Sequence, residues 1–257
     1  MKTPFVIEKP EDTKHFNGII YGETGAGKTR LAGTAQLCPE MAPVLFIDFE
    51  SGTKTLRGQD IDIVRPRSWK EIQEVYEFLL DGNEYYRTVV IDSLTELQKK
   101  LSMGTILGEL DVVNNQYKDL GRAIAPQIAD WLKTGEQMRK VIRAFRDLAY
   151  HKDPAKRVHV IMCALEKYDD KKQTVCPNLP GVLGIECGAM VDVLLRISQQ
   201  PQVTKNDREV IKRHLITDSY VDQAGTRYLA KNRGNLMPAA MWEPTMARII
   251  GANAEEA

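Results

Sequence analysis

Apolar residues occur along this chain in short runs separated by longer polar or amphipathic stretches. The runs predict buried strands, because a short apolar segment bounded by turn residues is typical of a strand covered on both faces. These predicted strands lie within 16–21, 43–52, 87–97 and 157–167. A different period marks 134–153, where Val141, Phe145 and Leu148 recur at helical spacing and predict a helix with one buried face.

The later part of the chain predicts further strands. They lie within 190–198, 208–217 and 226–232, with turn residues between them, and a short helix follows within 241–251. Residues 98–132 predict a helical continuation, a break and a helix restart near Pro126. Because no repeat interrupts the pattern, we expect one domain over 16–251, with an N-terminal arm at 1–15 and a tail at 252–257.

Composition narrows the class of protein. A chain of 257 residues with 43% hydrophobic content suffices for one large α/β domain. The 35 basic and 35 acidic residues balance, so nucleic-acid binding would need a local basic patch. No apolar run suggests a membrane span or signal peptide, and the scattered cysteines and histidines predict neither a metal cage nor a disulfide framework.

The strongest chemical signal is the pattern G-x-x-x-x-G-K-T between the first predicted strand and a predicted helix over 29–36. Glycines there let backbone N–H groups surround phosphates, and the lysine holds the β- and γ-phosphates. The predicted nucleotide-binding residues are Gly22, Glu23, Thr24, Gly25, Ala26, Gly27, Lys28 and Thr29. The alternative is a glycine-rich turn without a ligand.

Two strand ends supply candidate carboxylates. Asp92 ends the apolar run of 87–97, where a Walker B carboxylate would bind Mg²⁺ together with the Thr29 hydroxyl. Its neighbour Ser93 also predicts a helix N-cap, which is compatible with that role. Glu50 ends the run of 43–52 and would activate the attacking water. A solvated strand-end acid is the alternative for Glu50.

FIDFESGTKTL and VVIDSLTEL resemble the ATPase core of RecA and RadA. The layout is similar to that of compact phage-encoded RecA-like proteins, some of which are single-strand annealing recombinases. The resemblance covers roughly residues 16–250. It implies a RecA-like P-loop NTPase core of the α/β class, with a mostly parallel sheet flanked by helices and late antiparallel strands.

Lys231 and Arg233 in LAKNRGNL match the K-N-R of a RadA motif. In those relatives the two cations reach the γ-phosphate of a neighbouring subunit, so the resemblance implies an active site shared between subunits. The departure at Asn235 limits the match, and two exposed loop cations are the alternative.

The resemblance also implies a polar sensor at the end of strand 157–167. The family commonly has Gln there, whereas this chain has Ala164 and Leu165, so Glu166 or Lys167 is the predicted substitute. The predicted nucleic-acid contacts are Arg139, Arg143 and Arg146 on the helix and Lys171 and Lys172 in the following loop. A solvated helix face and a plain surface loop are the alternatives.

These expectations predict an ATPase that uses ATP and Mg²⁺ and acts on single-stranded DNA in phage recombination or replication. Its expected partners are further copies of itself, single-stranded DNA and a single-strand-binding protein, and no membrane. Its expected cellular location is the cytoplasm, which is the cytoplasm of the bacterial host if a phage encodes the protein. Other interpretations are a replication accessory such as a helicase loader, a non-hydrolysing nucleotide switch and a small-molecule kinase.

Overall fold

The computed structural model describes residues 15–111, 116–203, 209–233 and 237–251. The predicted arm, apart from His15, and the predicted tail lie outside this part of the chain. Among the described helices, none has the length and apolar character needed to cross a membrane.

Strands and helices alternate in the first half of the chain, and strands dominate the second. The strands are β1 Asn17–Gly22, β2 Val44–Asp48, β3 Asp62–Val64, β4 Thr88–Asp92, β5 Leu110–Asp111, β6 Gln116–Tyr117, β7 His159–Asp169, β8 Thr174–Pro177, β9 Val193–Val203, β10 Glu209–Ile216, β11 Tyr220–Val221, β12 Arg227–Tyr228, β13 Lys231–Asn232 and β14 Ala240–Trp242. The helices are α1 Lys28–Gly33, α2 Trp69–Glu77, α3 Leu94–Glu96, α4 Gly104–Ile106, α5 Ile128–Leu148, α6 Leu183–Met190 and α7 Met246–Ile249.

The main sheet has the order β3–β2–β4–β7–β1–β9–β10–β14. From β3 to β9 neighbouring strands are parallel, whereas β10 and β14 are added antiparallel. The far end of β7 turns into a hairpin with β8, on which β12 and β11 continue as a small extension. The predicted α/β fold, with a mostly parallel sheet and late antiparallel strands, is confirmed.

The sheet separates two hydrophobic layers. Along β1, Ile19 and Tyr21 face one layer and Ile20 faces the other, as the two-residue period of a strand requires. Helix α5 covers the first layer through Phe145 and its neighbours, and α1 and α7 cover the second. Helix α5 begins at Ile128, earlier than the predicted 134, and ends at Leu148.

Because the central strands are parallel, their carboxyl ends meet at one edge. Asp48 at the end of β2 pairs with Asp92 at the end of β4, and Gly22 at the end of β1 pairs with Leu165 of β7. This edge is where open α/β sheets bind ligands.

Candidate nucleotide-binding site

The loop between β1 and α1 crosses the carboxyl edge of the sheet. Gly27 has φ +102°, a left-handed conformation that favours glycine. Gly22 is needed for a different reason, since a Cβ atom there would lie 2.1 Å from the Ile197 carbonyl oxygen of β9. The loop therefore fits only a sequence with glycine at both positions.

Lys28 is buried and its ammonium group points back into the loop. Its Nζ donates to the carbonyl oxygens of Gly22 at 3.1 Å and Glu23 at 2.9 Å. Both bonds are to neutral acceptors, so an arriving phosphate, which carries charge, can take the place of either carbonyl.

Thr29 and Asp92 meet as the two predicted magnesium ligands should. The Thr29 hydroxyl donates to Asp92 Oδ2 at 2.6 Å, while Asp92 Oδ1 is buried without a hydrogen-bond partner among the described residues. Mg²⁺ is commonly bound through one or two protein oxygens together with waters and substrate phosphates, so this pair fits the ion. No cluster of three or more His, Cys, Asp or Glu able to hold a metal occurs within the described residues.

Burial raises the pKa of Asp92 to about 6. The Thr29 hydroxyl opposes this shift by donating to the carboxylate, and the neighbouring carboxylates of Glu50 and Asp48 add to it. A cation at this position would relieve the same cost of burying charge.

Glu50 lies at the same carboxyl edge of the sheet and lines the cavity there. Its side chain is exposed, and its Oε1 accepts a short hydrogen bond from the hydroxyl of Ser93. Ser93 is the residue that follows Asp92 in the chain. Strand β2 ends at Asp48, so Glu50 lies two residues beyond the strand and not at its last position as predicted. Asp48 is instead held in the structure, because it accepts from Thr53 at 3.0 Å and pairs with Arg65 at 3.1 Å.

These groups surround an open cavity of about 730 Å³. It is lined by Thr24, Gly25, Gly27, Lys28, Thr29, Arg30, Glu50, Thr55, Glu96, Leu165 and Arg213. Arg213 was not among the predicted site residues, because no sequence motif marks it and it reaches the loop from β10 through strand pairing.

The predicted sensor residues lie on β7 beside the loop, just beyond the part of β7 that pairs with β1 and where it begins to pair with β8. Glu166 forms a bidentate ion pair with Arg196 of β9, with N–O distances of 3.0 and 3.3 Å. Lys167 Nζ donates to the carbonyl oxygen of Leu179 at 2.6 Å. Both side chains therefore have partners within the chain, and their role as sensors stays a prediction.

Lys231 and Arg233 lie at the opposite edge of the sheet. Lys231 pairs with Leu194 near the start of β9, roughly 10 Å along the strand from the level of Gly22. Its Nζ donates to the carbonyl oxygens of Gly188 and Val191, and burial lowers its pKa. Arg233 pairs with Asp192 but keeps 60% of its side chain exposed. Neither cation lines its own chain's cavity, so contact with a phosphate would require a neighbouring chain. Gly234 and Asn235 of the motif lie outside the described residues.

The predicted nucleic-acid residues differ in how available they are. Arg139 pairs with Glu136 at 2.7 Å and Glu186 at 3.0 Å, and Arg146 pairs with Asp147 at 2.6 Å. Arg143 is exposed on the same helix. Lys171 and Lys172 are exposed at the tip of the β7–β8 hairpin.

Comparison with known proteins covers most of the chain. No curated protein matches it. Among solved structures it is similar to the RadB recombinase, at 15% identity and a TM-score of 0.41 over 83% of this chain and 90% of that one. It is also similar to an ATPase from the type III secretion system of pathogenic bacteria, at 15% identity and a TM-score of 0.38 over 74% of this chain and 52% of that one.

The family comparison matches residues 14–233 to the family described as AAA domain. The match includes every element from β1 to β13, and the loop at its start has the glycines, lysine and threonine of a phosphate-binding loop. The protein therefore belongs to the AAA domain family of P-loop NTPases.

Proposed function

We propose that this protein is a RecA-like ATPase that binds ATP with Mg²⁺ and hydrolyses it. The observation that carries the proposal is the contact of 2.6 Å between Thr29 Oγ1 and Asp92 Oδ2, with Asp92 Oδ1 buried and free of partners within the described residues. A hydroxyl and a carboxylate beside a phosphate loop are the magnesium ligands that P-loop NTPases use.

Each residue of the site has a chemical task in this proposal. Lys28 exchanges its loop carbonyls for phosphate oxygens and neutralises their charge. Thr29 and Asp92 would hold Mg²⁺, which would supply positive charge to the phosphate oxygens. Glu50 orients the attacking water and accepts its proton, and the Ser93 hydroxyl fixes the Glu50 carboxylate.

Phosphate release from ATP tests the proposal. Lys28→Ala should abolish nucleotide binding, whereas Glu50→Gln should keep binding and lower the rate by about 100-fold or more, the usual contribution of a general base. Glu96→Gln is the matched control, because Glu96 lines the same cavity. Loss of hydrolysis in Glu96→Gln with normal activity in Glu50→Gln would show that the base is wrongly assigned. The same assay with GTP shows whether the protein prefers adenine or guanine nucleotides.

We also propose that the protein assembles and acts on single-stranded DNA in phage recombination or replication, as an annealing or strand-exchange protein. Support comes from the resemblance of the sequence to RecA, RadA and the compact phage-encoded RecA-like proteins. Arg233 is the better candidate for a finger in trans, since it is largely exposed while the ammonium of Lys231 is bonded to two carbonyl oxygens.

Hydrolysis per subunit, measured over a dilution series with and without single-stranded DNA, tests this part. Activity should rise with protein concentration and with DNA, and Arg233→Ala should lower it by roughly a thousandfold. Activity that is independent of concentration, DNA and Arg233 would instead favour a monomeric switch.

The nucleic-acid contact is proposed for the exposed cations Arg143, Lys171 and Lys172, because Arg139 and Arg146 already have acidic partners. Arg143 on α5 and the pair Lys171 and Lys172 on the β7–β8 hairpin are replaced by alanine separately. The affinity for single-stranded DNA is then measured at several salt concentrations, which distinguishes the helix from the hairpin. Each lost phosphate contact should lower the salt slope by about 0.7, the value for single strands. Unchanged slopes in both sets would remove DNA binding from these positions.

A further inference from the structure

Arg213 lies on β10, beside the phosphate loop. In the register of the sheet it pairs with Gln199 of β9, and β9 pairs with β1. Side chains of directly paired residues project from the same face of a sheet. Gln199 Nε2 donates to the Gly25 carbonyl oxygen at 3.0 Å, so this face of the β9–β10 pair is turned toward the loop.

The Arg213 side chain crosses Gly27. A Cβ atom on Gly27 would lie 2.4 Å from Arg213 Nε and 2.9 Å from its Cδ. A side chain at position 27 would therefore displace Arg213, in addition to the strain of the positive φ. The close approach also places the guanidinium in the wall of the cavity that Lys28 and Thr29 line.

Glu243 holds the backbone of Arg213 but only weakly engages its charge. The Arg213 N–H donates to Glu243 Oε1 at 2.8 Å, and the Glu243 N–H donates to the Arg213 carbonyl at 2.9 Å. From Nη1 to Glu243 Oε2 the distance is 3.8 Å, too long for a hydrogen bond. Nε is buried and has no partner among the described residues. The guanidinium thus has donors to spare, and phosphate oxygens match their geometry.

We propose that Arg213 binds the α- and β-phosphates of the nucleotide from within the same chain. The inference rests on the proposed function, because it assigns a further ligand to the same site. It places Arg213 at these phosphates because the P-loop backbone, of which Gly27 is part, cradles the α- and β-phosphates. Arg213 approaches from the β9 side of β1, whereas Asp92 lies on β4, beyond β7 on the other side. The contact is therefore independent of Mg²⁺ and of the γ-phosphate.

The test is a fluorescence titration with ADP and ATP that carry a methylanthraniloyl group, each with Mg²⁺ and with EDTA. Arg213→Ala should weaken both nucleotides by about 10- to 100-fold, the usual effect of losing a charge-assisted hydrogen bond. Arg213→Lys should recover part of that loss. Lys212→Ala is the matched control, since it removes the same charge one residue along the strand, where the side chain projects from the other face.

Glu243→Gln separates a contact with the nucleotide from a purely structural role. Gln keeps an acceptor for the Arg213 N–H while removing the carboxylate that competes for the guanidinium. Nucleotide affinity should therefore stay the same or rise by up to about fivefold, as for a weak surface ion pair. If Glu243→Gln weakens binding as much as Arg213→Ala does, the effect is structural and the proposal is wrong.

Other outcomes are equally decisive. If the wild type binds nucleotide, Lys28→Ala abolishes that binding and Arg213→Ala leaves the affinity unchanged, the role of Arg213 is overturned and the proposed function stays intact. A loss confined to ATP would overturn the assignment to the α- and β-phosphates. Failure of the wild type to bind either nucleotide would instead overturn the proposed function itself.

Discussion

The buried carboxyl of Asp92 makes a prediction about the protein free of metal and nucleotide. Burial raises the pKa of Asp92 from its ordinary value of 3.8 to about 6. The native state consequently binds more protons than the unfolded state over this range, so the carboxyl lowers stability increasingly as pH rises from about 4 to about 6. Above that range the cost is constant. Asp92→Asn removes this pH-dependent cost.

The size of the effect follows from the shift. A difference of roughly two pKa units corresponds to about 3 kcal/mol when the group is fully ionised. Between about pH 5 and pH 7, linkage predicts that the stability of Asp92→Asn relative to the wild type rises by about 1.3 kcal/mol. The absolute offset between the two proteins is a separate quantity, because the new amide group has an unpartnered buried donor that costs about 1–3 kcal/mol.

Urea unfolding in EDTA, followed by tryptophan fluorescence at several pH values, measures this difference. Asp92→Ala is the control, since it also lacks the carboxyl and should show the same pH dependence with a different offset. Thr29→Val should act in the opposite sense, because loss of the hydroxyl donor raises the pKa of Asp92 further. A stability difference that is constant from pH 5 to pH 8, or that falls toward neutral pH, would refute the reasoning.

Three further predictions concern the framework around the site. Burial lowers the pKa of His159 to about 4, so between about pH 4 and pH 6.5 the native state binds fewer protons than the unfolded state and stability falls on acidification. His159→Gln should remove about 2 kcal/mol of that fall between pH 7 and pH 5 in urea unfolding. Gly22→Ala should lower the thermal midpoint and abolish nucleotide binding, because the added Cβ would lie 2.1 Å from a backbone carbonyl oxygen. Gly82→Ala is the control and should be nearly neutral, because its added Cβ would have no neighbouring atom closer than 3.4 Å. Glu166→Gln should cost about 3 kcal/mol in urea unfolding by leaving Arg196 without its anion, since these side chains are only 13% and 11% exposed; a change below about 0.5 kcal/mol would contradict a buried pair.

The parts of the site that the sequence predicts are those encoded locally. The phosphate loop, the carboxylate of Asp92 at the end of β4 and that of Glu50 just after β2 lie in short segments whose order along the chain fixes their place on the sheet. Parallel pairing then brings those ends to one edge, as the sequence pattern leads one to expect.

Contacts that depend on strand register are not visible in the sequence. Arg213 reaches the loop because β10 pairs antiparallel with β9 in one particular register, and neither the spacing nor the surroundings of Arg213 in the chain signals this. The ion pair of Glu166 with Arg196 likewise arises from neighbours 30 residues apart. The extension of β7 to Asp169 was missed because its last residues are polar and lack a buried face.

The bonds of Lys28 to the loop carbonyls bear on the order in which products leave. In the proposed reaction, the Lys28 ammonium can return to the carbonyl oxygens of Gly22 and Glu23 when the terminal phosphate departs, instead of remaining buried without a partner. Departure of inorganic phosphate therefore leaves no uncompensated charge. ADP would keep the contacts that a phosphate loop makes through its backbone, so in the proposed reaction we expect ADP to leave last and its dissociation to limit turnover.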